Sequence, residues 1–120
     1  GIVSTLIWST DECPAEMWTD EDFGARVIPT QPPAMGSRFC VIDFQPGNTA
    51  HMHRTDSLDY VLCLAGEIDM DMDETTLTMR AGDVMVQQGT NHSWWNRAAE
   101  TARLVIVLMD SKPGGLPITA

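Results

Sequence analysis

The chain has three histidines, His51, His53 and His92, and their placement is the first sign of chemistry. His51 and His53 are two residues apart, so on an extended backbone both imidazoles leave from one face and can meet at one point. A helix would splay them. His92 comes about forty residues later in a strand-like run of its own, so only folding brings it to the pair. Three neutral imidazoles suit one divalent transition ion (Fe, Zn, Ni, Mn or Cu) far better than calcium, which prefers oxygen donors. The plain alternative is two polar residues sharing one strand face, and the regular glycines around the histidines weigh against it.

Those glycines carry a resemblance. Gly47, His51, Met52, His53, Asp59 and Gly66 resemble the first signature of the cupin family, and Gly82, Gln87, Gly89, His92 and Asn96 resemble the second. Two departures stand out. Asp59 takes the place of the usual glutamate, at a slightly different spacing, and Gln87 takes the place of the usual proline. The resemblance implies an all-β double-stranded β-helix, a jelly-roll barrel with a metal near one end and a substrate pocket above it. It also implies His51, His53 and His92 as metal ligands, with Asp59 either a fourth ligand or a free carboxylate. Small cupins of this size commonly dimerise. The phrases HRTDSLDYVL and GDVMVQQGTNH are similar to small single-domain cupins of fungi and bacteria, some associated with polyketide and aromatic metabolism.

Three readings of function follow. If Asp59 completes the metal shell, no histidine is left as a base, which favours an oxidoreductase of the dioxygenase kind. If Asp59 stands apart, it can move a proton while the ion stabilises an enolate, which favours a lyase, dehydratase or isomerase with Asp59 as the catalytic base. If Trp94 and methionines fill the pocket, binding alone remains. The candidate pocket residues are Arg38, Phe39, Met52, Val61, Gln87, Trp94 and Asn96, of which Phe39, Met52, Val61 and Trp94 would make a lining too apolar for a sugar phosphate. Trp94 and Asn96 are assigned to the His92 face by alternation.

The elements that must position these residues read as strands. From Ser37 onward short apolar runs alternate with turns at even intervals, as in a sandwich or barrel. The runs are Ser37 to Gln45, Ala50 to His53, Leu58 to Ala65, Glu67 to Asp73, Thr75 to Met79, Val84 to Gln87, His92 to Arg97 and Thr101 to Met109. EIDMDMD alternates strictly, which gives a buried Ile68, Met70, Met72 face and a solvated Asp69, Asp71, Asp73 face rather than a calcium loop. Asp56 reads as a turn residue.

Ahead of this region, Ile2 to Trp8 reads as a strand. Thr10 to Gly24 carries six carboxylates and reads as a helical turn at Pro14 to Trp18 or as a solvated arm. Pro29, Pro32, Pro33 and Gly36 make a connector that cannot be helical. The chain is thus one domain: strand and arm over 1–36, barrel over 37–110 and an irregular tail over 111–120. A first strand set apart by a connector can pair with a neighbour's sheet edge, so a homodimer using Ile2 to Trp8 is expected.

The formal charge of −10, one lysine and scattered arginines argue against nucleic acid as a partner. No apolar run is long enough to span a bilayer, and the opening residues do not resemble a signal peptide. Cys13, Cys40 and Cys63 are odd in number and widely spaced, which suits reduced thiols and a cytoplasmic location; Cys63 reads as core. The expected partner is a small-molecule substrate.

Overall fold

Residues 1–118 are described by a computed structural model. The period-two alternation becomes eight strands: β1 (Ile2–Thr10), β2 (Ser37–Phe44), β3 (Ser57–Ala65), β4 (Glu67–Met72), β5 (Thr76–Arg80), β6 (Val84–Gln88), β7 (His92–Trp95) and β8 (Ala102–Asp110). No helix forms among the described residues. One sheet runs in the order β1-β2-β8-β3-β6 and the other β5-β4-β7, and every strand pair is antiparallel. This is the jelly-roll arrangement that the sequence implied.

What each strand turns inward decides where the core ends and the site begins. β2 buries Arg38, Cys40, Ile42 and Phe44, and β8 buries Ala102, Leu104, Ile106 and Leu108. Their register sets Cys40 beside Ile106 and Ile42 beside Leu104. The inward row of β3 changes character along its length. Ser57 and Asp59 come first, then Val61 and Cys63. Ile68, Met70 and Met79 close the core from the second sheet. One end of the sandwich is therefore lined with polar groups by the sequence of β3 itself.

Several expectations change. Ala50 to His53 is not a strand: only His53 is bridged, to His92, and the preceding residues form a loop. Pro14 to Trp18 is an exposed, irregular arm, so the solvated alternative is the one observed. β1 pairs with β2 of its own chain, Ile2 opposite Phe44 and Thr10 opposite Ser37. It is the end strand of its sheet, and Phe23 and Gly24 lie against it at Ile7 to Ser9.

The Asp69 and Asp71 face is engaged by Arg97, at 3.1 and 2.7 Å, and by the Thr78 and Thr76 hydroxyls. The tail is irregular and fastened by Arg54 Nη1 to Leu116 O at 3.1 Å and by Gly114 N to Asp56 Oδ1 at 3.1 Å. Its last two residues, 119 and 120, lie outside the described residues. Gly66, which ends the first signature, has φ 71°, and a Cβ there would meet Thr101 O at 2.6 Å. No other residue fits that turn without strain.

Asn96 is a structural clamp, not a pocket residue. It is 0% exposed, and its Nδ2 donates to Phe44 O at 2.8 Å and Glu100 O at 2.7 Å. Its Oδ1 accepts from Ala98 N, and its own N–H goes to Asn48 Oδ1 at 2.8 Å. Asn96→Ala strands both carbonyls and should lower unfolding stability by about 3 kcal/mol. Urea unfolding measures this, and a loss below about 1 kcal/mol would contradict the role.

Candidate metal centre and cavity

The loop before β3 and the start of β7 are joined by a main-chain exchange: His53 N donates to His92 O at 2.8 Å and His92 N to His53 O at 2.9 Å. That pairing brings the loop imidazoles to the strand one, with ring centroids 4.3 Å apart for His53 and His92 and 5.1 Å for His51 and His53. Met52, between them, is 41% exposed.

The hydrogen bonds select a tautomer. His92 Nδ1 lies 2.7 Å from Thr90 O and His53 Nδ1 3.1 Å from His51 O. A carbonyl can only accept, so each Nδ1 carries a proton, and in the neutral ring the lone pair lies on Nε2. Burial pushes the His92 pKa down to about 4, against the raising effect of the Thr90 bond and with help from nearby His53. It is a neutral imidazole at neutral pH.

Asp59 is buried, and burial raises its pKa above the ordinary carboxylate value, opposed by its bonds to Ser57 and Gln87 and by His53. Ser57 Oγ donates to Asp59 Oδ1 at 2.7 Å, and Gln87 Nε2 donates to Asp59 Oδ2 at 3.1 Å. Gln87 Nε2 also lies 3.2 Å from His92 Nε2.

These groups form the polar end of a cavity of about 430 Å³, a size that suits a small organic molecule. Its walls are Ile42, Phe44, Val61, Trp94, Ile106 and Leu108. Trp94 is fixed by a T-shaped contact with His92 at 5.9 Å and a tilted one with Phe44 at 6.4 Å. The rim is built by Ile2 and Ser4 of β1 and by Pro29, Thr30 and Gln31 of the connector.

Of the expected pocket residues, Val61, Gln87 and Trp94 line the cavity and Arg38, Phe39, Met52 and Asn96 do not. Phe39 has the outward parity of β2 and is 38% exposed. Arg38 points inward but is spent on main-chain carbonyls: Ser37 O at 2.8 Å, and Thr10 O and Pro29 O both at 3.4 Å. It anchors the connector that forms the rim. Sequence reasoning passed over Ile42, Phe44, Ile106 and Leu108, which strand alternation does signal, and the rim, for which the sequence holds no signal.

The donor chemistry fits a divalent transition ion, since imidazoles whose Nδ1 atoms are anchored to main-chain carbonyls present Nε2 to such an ion; the His92 Nε2 now faces the Gln87 amide at 3.2 Å. As they stand, no three His, Cys, Asp or Glu side chains among the described residues form a group that could hold an ion. The amide of Gln87 stands between Asp59 and His92.

The family model described as Cupin domain matches residues 40–108. The chain belongs to the cupin family. This cupin is 36% identical over 115 residues to "Phomopsin biosynthesis cluster protein C'" of Diaporthe leptostromiformis, covering 90% of this chain and 61% of that protein. It is also 36% identical over 118 residues to a cupin-domain-containing oxidoreductase of Hypocrea virens, covering 92% and 60%. The chain thus spans about three-fifths of the length of these relatives. Among solved structures, the cupin domain of an XRE-family transcriptional regulator from Enterobacter cloacae has a TM-score of 0.54 at 18% identity, covering 64% of this chain and 82% of that one. That likeness concerns the fold. No helix among the described residues is long and apolar enough to cross a membrane.

The metal-free cupin should show a pH signature. The folded His92 pKa, about 4, lies below its ordinary 6.5, so between these values the unfolded chain binds more protons and stability rises with pH. This contribution is complete above pH 6.5 and is lost as the pH falls through about 4, by roughly 3 kcal/mol. Asp59, shifted upward, acts with the opposite sign, stabilising the fold while protonated and losing that as the pH rises through its folded value. In chelator-treated protein, His92→Gln should flatten the rise between pH 4 and 6.5. An unchanged slope in denaturant titrations would contradict the assignment.

Proposed function

We propose that this cupin is the metal-binding barrel of an oxidoreductase acting on a small oxygenated, largely apolar metabolite of aromatic or polyketide-like type. One observation carries the reading: the anchored tautomers of His53 and His92 leave Nε2 lone pairs at the polar end of an otherwise apolar cavity. The oxidoreductase name of the Hypocrea virens relative and the biosynthesis-cluster name of the Diaporthe one support it. His51, His53 and His92 would hold one ion of iron, zinc, nickel, manganese or copper. When bound, the ion supplies activation of dioxygen or polarisation of a substrate oxygen.

The remaining residues bind and orient. Phe44, Val61, Trp94 and Leu108 bury the apolar body of the ligand, so that its oxygens point to the histidine end. The rim formed by β1 and the connector limits water. Asp59 holds or moves a proton at its carboxyl group.

That last point supports a second reading. A buried, upshifted carboxyl beside the cavity is suited to a metal-dependent lyase, dehydratase or isomerase in which Asp59 is the general base. A barrel that only binds its ligand is the third. The Ile2 and Val3 end of β1, the end strand of its sheet and about half exposed there, is where a second copy would add a strand to give a homodimer. A single-chain mass in solution would count against that.

Reconstitution should give about one ion per chain, and His92→Ala should weaken binding at least tenfold. A stoichiometry near zero in the parent protein would overturn the metal reading. Once a substrate is in hand, turnover should require dioxygen. Anaerobic turnover abolished by Asp59→Asn with the metal still bound would establish the lyase or isomerase reading instead.

A further inference from the structure

The two sheets have outer faces of opposite character. On β4 the outward row is Glu67, Asp69 and Asp71, met by Arg97 and two threonine hydroxyls, which is how the wet side of an antiparallel sheet is built. The five-stranded sheet does the reverse. Its register lines up Val86 of β6, Tyr60 of β3, Val107 of β8 and Phe39 of β2 in one row across four strands. Two residues along, Val84, Leu62, Val105 and Val41 make a second row. Both rows point outward, since their chain neighbours Asp59, Val61, Gln87 and Ile106 are buried.

Neither row contains a charged residue, in a chain with 17 carboxylates and seven lysines and arginines. Asp43 and Arg103, on the row beyond Val41 and Val105, are paired with each other at 2.7 Å. Val84 is 76% exposed, Val86 56% and Tyr60 50%. Where the first row continues onto β1, Phe23 stacks on Trp8 at 5.4 Å, so the chain covers that end itself while the β3 and β6 end stays exposed. The exposed part amounts to roughly 600 Å² of mostly apolar surface, at the top of the range for the largest patch on an ordinary monomer.

We infer that a second copy of this chain packs face to face on the surface formed by β2, β8, β3 and β6, about a two-fold axis. Area, charge and shape select that occupant. The patch with its rim approaches the ~800 Å² that each partner gives to a standard interface. A chain of −10 repels its own copies, so two of them meet closely only where charge is absent, and these rows are such a place. A basic partner, the kind the overall charge attracts, gains nothing from them. Twisted sheets stack with their strands within about 30° of each other, and a two-fold through the middle strands β8 and β3 sets the same residues of both copies together. The contact is separate from strand addition at the Ile2 and Val3 end of β1: the face alone gives a dimer, and both contacts together give a tetramer. It also backs the site, because Tyr60 lies between Asp59 and Val61 and Val86 precedes Gln87, and those three line the cavity. Nothing in the inference depends on the metal reading.

Sedimentation velocity over about 1–100 µM protein tests it, with the parent, the double variant Val84→Glu, Val86→Glu, the single variant Tyr60→Thr, and Ile2→Glu. The parent should sediment as a dimer or tetramer. The double variant, which sets carboxylates against each other across the two-fold, should weaken the face contact about a hundredfold or more and halve the mass. Tyr60→Thr should weaken it about thirtyfold, and Ile2→Glu should never fall below the dimer. Circular dichroism checks that each variant is folded; if the double variant is not, Tyr60→Thr decides, since threonine keeps the strand preference. A single-chain mass for the parent across the range would overturn the inference. So would folded face variants that keep the parent's mass and affinity, or a fall to the single chain in Ile2→Glu alone, which would return the contact to the edge of β1. Metal binding is read separately and stands or falls apart from each of these outcomes.

Discussion

The main-chain exchange between His53 and His92, at 2.8 and 2.9 Å, is the constraint on which the site depends. It is an isolated bridge outside the named ladders, and it ties the loop that carries His51 and His53 to the strand that carries His92. The geometry of a histidine pair in a loop would otherwise be loose, because loop residues lack ladder partners. Asn48 braces the same loop, its amide on Trp94 O at 3.0 Å and its oxygen on the Asn96 N–H. Fold and site share one set of hydrogen bonds, so the residues of the signatures divide into those that present lone pairs and those that hold the presenters.

Electrostatics and packing act in the same direction. A neutral His92 keeps its lone pair at physiological pH because burial disfavours the imidazolium, and that burial comes from the walls that would enclose a ligand. The chain carries −10 overall, a field that raises the local concentration of divalent cations. The many carboxylates need not be ligands to help. Seven of the 17 are ion-paired with arginines, as Asp43 is to Arg103 at 2.7 Å and Asp71 to Arg97 at 2.7 Å.

Much of this was legible in the sequence, and the failures have identifiable physical causes. Period-two alternation located most strands from Ser37 onward because β2, β3, β4 and β8 each bury alternate residues, and the glycines located turns whose backbone demands them. The His-x-His spacing found the pair but not its setting: the same alternation occurs in a loop held by a single bridge, so Ala50 to His53 read as a strand. On β2 both rows carry apolar residues, Cys40, Ile42 and Phe44 on one side and Phe39 and Val41 on the other, and a shift of one residue exchanges the faces. Phe39 therefore reads as a pocket residue although it faces outward. Asn96 lies one residue beyond the end of β7, where strand parity no longer applies. The contribution of Pro29 to Gln31 to the rim is set by how Arg38 gathers distant carbonyls, and no local pattern encodes that.

The central claim is that three imidazoles brought together by one backbone bridge hold a single ion. X-ray absorption at the metal edge of the reconstituted protein tests it most directly. The account predicts a shell of nitrogen and oxygen donors with the outer-sphere scattering of about three imidazole rings, reduced by about one ring in His92→Ala. A shell of water oxygens without imidazole scattering, or one containing sulfur from Cys13, Cys40 or Cys63, would contradict it.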